Sequence, residues 1–185
     1  MQIDPNTKKN ALYSLFLVIV LVGIWWYRDI RENENTSHEV EISGETMGTT
    51  YNVKYLHENN INYKTGIDSL LVAFNQSLST YIPDSEISRF NKGTILKYES
   101  GFFYPVLKRS HEIYKNTNGA FNPTVGPLID AWGFGPDSTR MPAKATVDSL
   151  LKLVNFDSIF FDTISACKLK KGLELSFSAI AKGYG

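Results

Sequence analysis

The chain has 185 residues, 43% of them hydrophobic and 13% aromatic, which is enough apolar material for one folded domain and too much for a disordered tail. Its 19 basic and 19 acidic residues cancel, and no basic run could neutralise a row of phosphates, so nucleic acid is a poor partner class. Cys167 is the single cysteine, which leaves neither a disulfide framework nor a cysteine-based zinc site and reads as buried filler.

Residues 11–27 (ALYSLFLVIVLVGIWWY) carry no charge. As a helix rising about 1.5 Å per residue they span roughly 25 Å, close to the hydrocarbon thickness of a bilayer. Lys8 and Lys9 precede the run, and Trp25, Trp26 and Tyr27 form an interfacial aromatic cluster at its far end. The expected arrangement is a cytoplasmic N-terminus over residues 1–10, one transmembrane anchor over 11–27, and the remainder outside the cytoplasm. A cleaved signal peptide is the rival, but the bulky WWY end lacks a small-residue cleavage pattern, and no cysteine follows to carry a lipid. Apolar residues on every face argue against a buried core helix.

Residues 28–39 are polar and charged and suit a short tether, so the folded domain is expected over 40–185. Alternation at Val40 and Ile42, then at Tyr51, Val53 and Tyr55, predicts two strands around a turn between Gly44 and Gly48. Ile67, Leu70, Leu71 and Phe74 repeat at helical spacing, as do Val147, Leu150, Leu151 and Val154 behind a candidate cap at Thr146. Both helices are expected to pack on a sheet. A further helix is expected over about 104–116, with Pro105 in its first turn and Gly119 past its end. Late strands are expected over 159–164 and at the alternating Leu173, Leu175 and Phe177. There is no repeat and no low-complexity stretch. The chain closes on AKGYG (181–185), as a strand hands over to a glycine-rich turn or helix start, and the expectation is that these residues are a fragment of a longer protein.

Four clusters could carry chemistry, and each also has a purely structural reading. GETMGTTY (44–51) offers backbone N–H and hydroxyl groups to phosphate or ring-edge acceptors, or is an ordinary hairpin turn. LSTYIPDSEISRFN (78–91) sets Tyr81 in a loop where it could stack on a flat ring, while Ser85 could simply cap a short helix. GAFNPTVGPLIDAWGFG (119–135) is a loop costly in backbone entropy unless a ligand or a packed Trp132 fixes it. SFSAIAKGYG (176–185) has small residues for close approach and Lys182, either a phosphate partner or a plain surface lysine.

Taken in this order, MGTTY, LSTYIPDSEISRFN, GAFNPTVGPL with WGFG, and SAIAKGYG resemble the ApbE family of FAD:protein FMN transferases from about Ile42 to Gly185. The resemblance implies an α+β fold, a mixed or antiparallel sheet with packed helices, here preceded by one transmembrane helix. It implies a cleft that takes FAD as substrate, cleaves its pyrophosphate with Mg²⁺, and moves FMN to a threonine or serine hydroxyl of an acceptor protein as AMP leaves. The implied acceptors are membrane redox subunits that carry covalent FMN. Carried over residue by residue, Met47 lies against the flavin, Tyr81 stacks, Ala120, Phe121 and Asn122 surround the FAD, and Lys182 contacts the dinucleotide. The backbone carbonyl of Ala179 is the implied metal ligand, suited to a hard ion. Asn122 and Ser176 stand where the family usually has aspartate, so each loses a charge near the cofactor but keeps a hydrogen-bond acceptor. The side-chain metal ligands belong to a second half that the resemblance places beyond Gly185, so these 185 residues alone are expected not to transfer FMN. Two rival functions stay open: a non-catalytic membrane-tethered FAD-binding module, and hydrolysis of FAD to FMN and AMP.

Overall fold

The structure is a computed structural model that describes residues 5–34, 37–134 and 141–185. Gly135, which closes the third cluster, and residues 35 and 36 of the expected tether lie outside the described residues. The fold is α+β, and the chain divides into two compact units.

The first unit comprises the residues up to Ile42 together with Asn52–Tyr63. Helix α1 runs Pro5–Glu34, so it continues past the uncharged stretch, and Leu12–Asp29 within it is long and apolar enough to cross a membrane. Its large apolar side chains from Leu12 to Tyr27 are exposed. Strands β1 (His38–Thr46) and β2 (Thr49–His57) form an antiparallel ribbon whose outer half belongs to this unit. There Lys54 pairs with Glu41 at 3.0 Å, and the Asn52 amide donates to the same carboxylate at 2.9 Å. These exposed cross-strand pairs fix register more than they add stability. Val40 and Ile42 are buried, as their alternation predicts.

The second unit comprises Ser43–Tyr51 and Lys64–Gly185. The expected turn over 44–48 is shorter than its glycines suggest: Gly44 lies inside β1, and only Met47 and Gly48 form the turn. A Cβ on Gly44 would come within 2.6 Å of the Tyr51 ring, so the missing side chain lets that ring lie across the ribbon. The Tyr51 hydroxyl then donates to Asp68 on α2 (Lys64–Leu78), and Lys64 Nζ donates to the Ser43 carbonyl at 2.7 Å. The hairpin tip is thereby fastened to α2.

Ser85 caps α3 (Glu86–Lys92) by accepting from Ser88 N, which is the capping role expected of it. Helix α4 (Phe103–Asn116) buries Phe103, Val106, Leu107 and Ser110, one stripe at i, i+3, i+4, i+7. It ends where Asn118 and Gly119 take positive φ of 50° and 83°. The third cluster is not the costly loop expected. Asn122 caps a 3₁₀ turn at Pro123–Val125 that feeds α5 (Gly126–Ala131), so local hydrogen bonds fix the backbone without a ligand.

Strands β3 (Ile95–Lys97), β4 (Ile159–Phe161) and β5 (Ser165–Lys168) form an antiparallel sheet of order β3-β5-β4. The strand expected over 159–164 therefore breaks, because Asp162 turns the chain by accepting from the N–H groups of Ile164 and Ser165. The later helix is α6 (Lys144–Leu151); it begins behind Ala143 rather than Thr146 and buries no residue, so its expected packing on a sheet is not found. Residues 173–177 alternate in burial as a strand would, with Leu173, Leu175 and Phe177 inside, but among the described residues they pair with no strand. The short α7 (Ala181–Tyr184) follows. The core of this unit joins Phe74 and Leu78 of α2, Ile87 and Phe90 of α3, Phe103, Val106 and Leu107 of α4, and Leu173, Leu175 and Phe177.

Candidate functional site

Two cavities of the second unit meet at Thr80, Tyr81 and Ser178. The larger, about 680 Å³, is bounded by the β1–β2 turn, the end of α2 with the loop after it, and α7. Phe74, Leu78 and Ile82 give it apolar surface, and Lys182 stands at its rim. The smaller, about 240 Å³, lies between α3, α5 and the extended segment 173–177.

The turn that reaches the larger cavity has φ of 50° at Met47 and 69° at Gly48. Positive φ at both central residues is the two-residue hairpin turn that matches the twist of the strands, and asparagine and glycine are its usual occupants. Methionine in the left-handed region costs about 1–2 kcal/mol. Its place is secured by Asn75, whose amide donates to Thr46 Oγ1 at 2.9 Å. Strain held next to a cavity marks Met47 as a functional candidate.

Tyr81 is 66% exposed, and its hydroxyl donates to the Phe134 carbonyl at 3.2 Å. The ring is thus largely exposed while its far end is tethered. Ser176 lines the smaller cavity; its N–H donates to the Pro123 carbonyl at 2.8 Å, and its hydroxyl lies 3.0 Å from that of Ser178. Met47, Tyr81 and Lys182 therefore share one cavity, and Ser176 lies in the cavity that adjoins it.

Ala120, Phe121 and Asn122 do not line either cavity. Ala120 is exposed, Phe121 is half-buried, and the Asn122 carboxamide is engaged locally, accepting from Thr124 N at 3.0 Å and Thr124 Oγ1 at 2.7 Å. Ala179 is exposed on the turn before α7 and lines neither cavity. Its carbonyl offers one oxygen, and among the described residues no group of three or more His, Cys, Asp or Glu could hold a metal ion. A Mg²⁺ ion needs near-octahedral oxygen coordination, so the described residues do not by themselves fit it.

Sequence reasoning missed Asn75 and Thr80 in the larger cavity and Asn91 and Glu174 in the smaller. For Glu174 the signal was present. Where Leu173, Leu175 and Phe177 point inward, a period of two puts Glu174, Ser176 and Ser178 on the opposite face. Burial raises the Glu174 pKa, nearby Asp130 raises it further, and Lys168 opposes both. Lys182 lines the larger cavity, and Lys92, Asp130 and Glu174 line the smaller.

The ApbE family model matches residues 47–185. An FAD:protein FMN transferase of Vibrio cholerae serotype O1 is 33% identical over 185 residues, covering 96% of this chain and 53% of that protein. Another, from Haemophilus influenzae, is 38% identical over 160 residues, covering 79% of this chain and 46% of its own length. Among solved structures, the flavin transferase ApbE from Vibrio cholerae superposes with a TM-score of 0.75 at 34% identity, over 80% of this chain and 50% of that one. The apo flavinyl transferase ApbE of Pseudomonas stutzeri gives 0.72 at 28% identity, with the same coverage. The chain spans about half the length of the curated relatives it matches.

Proposed function

The chain belongs to the ApbE family, and from that premise we propose that the protein transfers FMN from FAD to a threonine or serine hydroxyl of another protein. In this reaction the hydroxyl oxygen bonds to the phosphorus on the FMN side of the pyrophosphate and loses its proton. The bridging P–O bond breaks, and AMP leaves with the bridging oxygen. The observation that carries the reading is the convergence of Met47, Tyr81 and Lys182 on one cavity. Tyr81 offers a ring face for the flavin, the thioether of Met47 packs beside it, and the Lys182 ammonium offsets pyrophosphate charge. Asn122, Ala120 and Phe121 would act from the neighbouring turn, and Ser176 from the adjoining cavity. Mg²⁺ is the ion the family resemblance implies, with the Ala179 carbonyl as one ligand; the described residues do not complete its shell, and no step is derived through it.

Tyr81→Ala is expected to weaken FAD binding about 5- to 150-fold, the equivalent of the 1–3 kcal/mol typical for a base stacked on an aromatic ring. Because the side chain is largely exposed, the melting temperature should stay close to that of the parent. Flavin fluorescence titration with parallel thermal melts reads both. Unchanged affinity would remove Tyr81 from the site, and a lowered melting temperature with unchanged affinity would make it a packing residue.

We also infer that α1 is a retained single-pass anchor in the cytoplasmic membrane, with its N-terminus inside and the domain facing membrane redox subunits outside. The lysines before the span and the Trp25, Trp26, Tyr27 cluster after it support this reading. Protease added to intact spheroplasts should digest the domain. Digestion only after lysis would reverse the orientation.

A further inference from the structure

Glu174, Leu175 and Ser176 line the smaller cavity, yet among the described residues no neighbouring strand holds the segment 173–177. An extended buried segment needs partners for its backbone groups. Here side chains supply several of them. The Asn91 amide Nδ2 donates to the Leu175 carbonyl at 2.9 Å, and Asn91 Oδ1 accepts from Leu175 N at 2.8 Å. One carboxamide thus makes the pair of bonds that a strand residue would make. Behind it, the buried Lys168 donates from Nζ to the Leu173 carbonyl at 2.6 Å and to the Asn91 carbonyl at 2.7 Å, with the Phe90 ring 5.2 Å from the ammonium. On the other side, Ser176 N donates to the Pro123 carbonyl, and a Cβ on Gly126 would lie only 3.0 Å from the Glu174 carbonyl oxygen. The segment is therefore held between the end of α3 and the start of α5.

We propose that Asn91 is a positioning residue of the site: its carboxamide replaces a missing strand and sets the register in which Glu174, Ser176 and Ser178 face the cavities. A slip of one residue would turn these three side chains inward and Leu173, Leu175 and Phe177 outward. The clamp itself depends only on this geometry, while its effect on FAD rests on the flavin reading above.

The test is Asn91→Asp. At neutral pH the carboxylate keeps the acceptor for Leu175 N, loses the donor, and sets a negative oxygen against the Leu175 carbonyl. A protonated carboxyl restores both bonds in nearly the geometry of the amide. The charged groups around it are Lys92 on the same helix, Lys168 behind it, and Asp130 and Glu174 across the cavity. At about pH 7.5 the variant is expected to lose about tenfold in hydrogen-exchange protection across 173–178 and about tenfold in FAD affinity by fluorescence titration. Both should recover toward the parent as the pH falls below about 4, where an aspartate takes up its proton, with the parent measured at each pH. As a control, Asn155→Ala removes another asparagine cap, the acceptor for Asp157 N; it should lower the melting temperature and leave FAD affinity intact. Protection of residues 173–178 within twofold of the parent at neutral pH would overturn the clamp, as would a defect that persists on acidification. If Asn91→Asp unfolds at neutral pH, recovery of native exchange in acid is the same test, and failure to recover overturns it. A parent chain that leaves FAD fluorescence unchanged overturns the flavin reading, and exchange then decides the clamp alone.

Discussion

Replacing Glu86 with alanine should destabilise the second unit by roughly 3–5 kcal/mol, because several buried donors lose one shared acceptor. Glu86 is only 3% exposed. Its Oε1 accepts from Glu99 N at 2.7 Å and Ser100 N at 3.2 Å, and its Oε2 accepts from the Ser100 hydroxyl. That hydroxyl in turn meets Ser77 Oγ at 2.8 Å and accepts from Phe102 N at 3.2 Å, so the carboxylate ties α2, α3 and the start of α4 together. Glu86→Gln keeps one acceptor and should cost about half as much. Burial pushes the Glu86 pKa up, but the hydrogen bonds from Glu99 N and Ser100 outweigh it, and the net shift is downward from 4.5. A depressed folded pKa means that the contribution is present in full above 4.5 and is lost as pH falls through the folded value. Urea unfolding from neutral to acid pH should therefore show the parent converging on the Gln variant only below 4.5. A variant as stable as the parent at pH 7 would show that the three donors find water instead.

Phe103→Ala should cost about 3–5 kcal/mol, the range for emptying a large aromatic from a filled core. Phe103 is fully buried, with ring centroids of Phe177 and Tyr98 both at 5.5 Å and of Phe90 at 6.2 Å. The edge-on contact to Phe177 matters most for the site, since Ser176 and Ser178 flank that residue. The urea midpoint should fall with little change in slope, the sign of lost stability without a change in the surface exposed. A loss below about 1.5 kcal/mol would mean that neighbouring rings collapse into the space.

Periodicity in the sequence located α2, although of the predicted stripe only Phe74 is buried and Leu70 is exposed; Pro105 and Gly119 marked the ends of α4, and alternation found residues 173–177 because their burial alternates whether or not they pair. Strand pairing was less legible. Strands β3 and β5 are 3 and 4 residues long, too short for a pattern, and are defined by long-range partners such as Ile95 opposite Cys167. The cavity residues that sequence did identify stand on motifs with local meaning, Met47 in a hairpin turn and Tyr81 in a loop rich in turn residues. Asn91 was read only as the end of a motif, because its partner Leu175 is 84 positions away and no local signal announces such a bond.

The turn at Met47 also bears on how this protein has been shaped. If stability were the only thing selected, asparagine or glycine would be favoured at this position, since either relaxes the left-handed backbone with a single small change. The thioether thus stands against the backbone preference at one residue of a hairpin tip. Stabilisation guided by backbone preference alone would therefore erase it. An engineered chain could then melt later and yet discriminate less among the molecules entering the cavity, a trade located at one backbone angle.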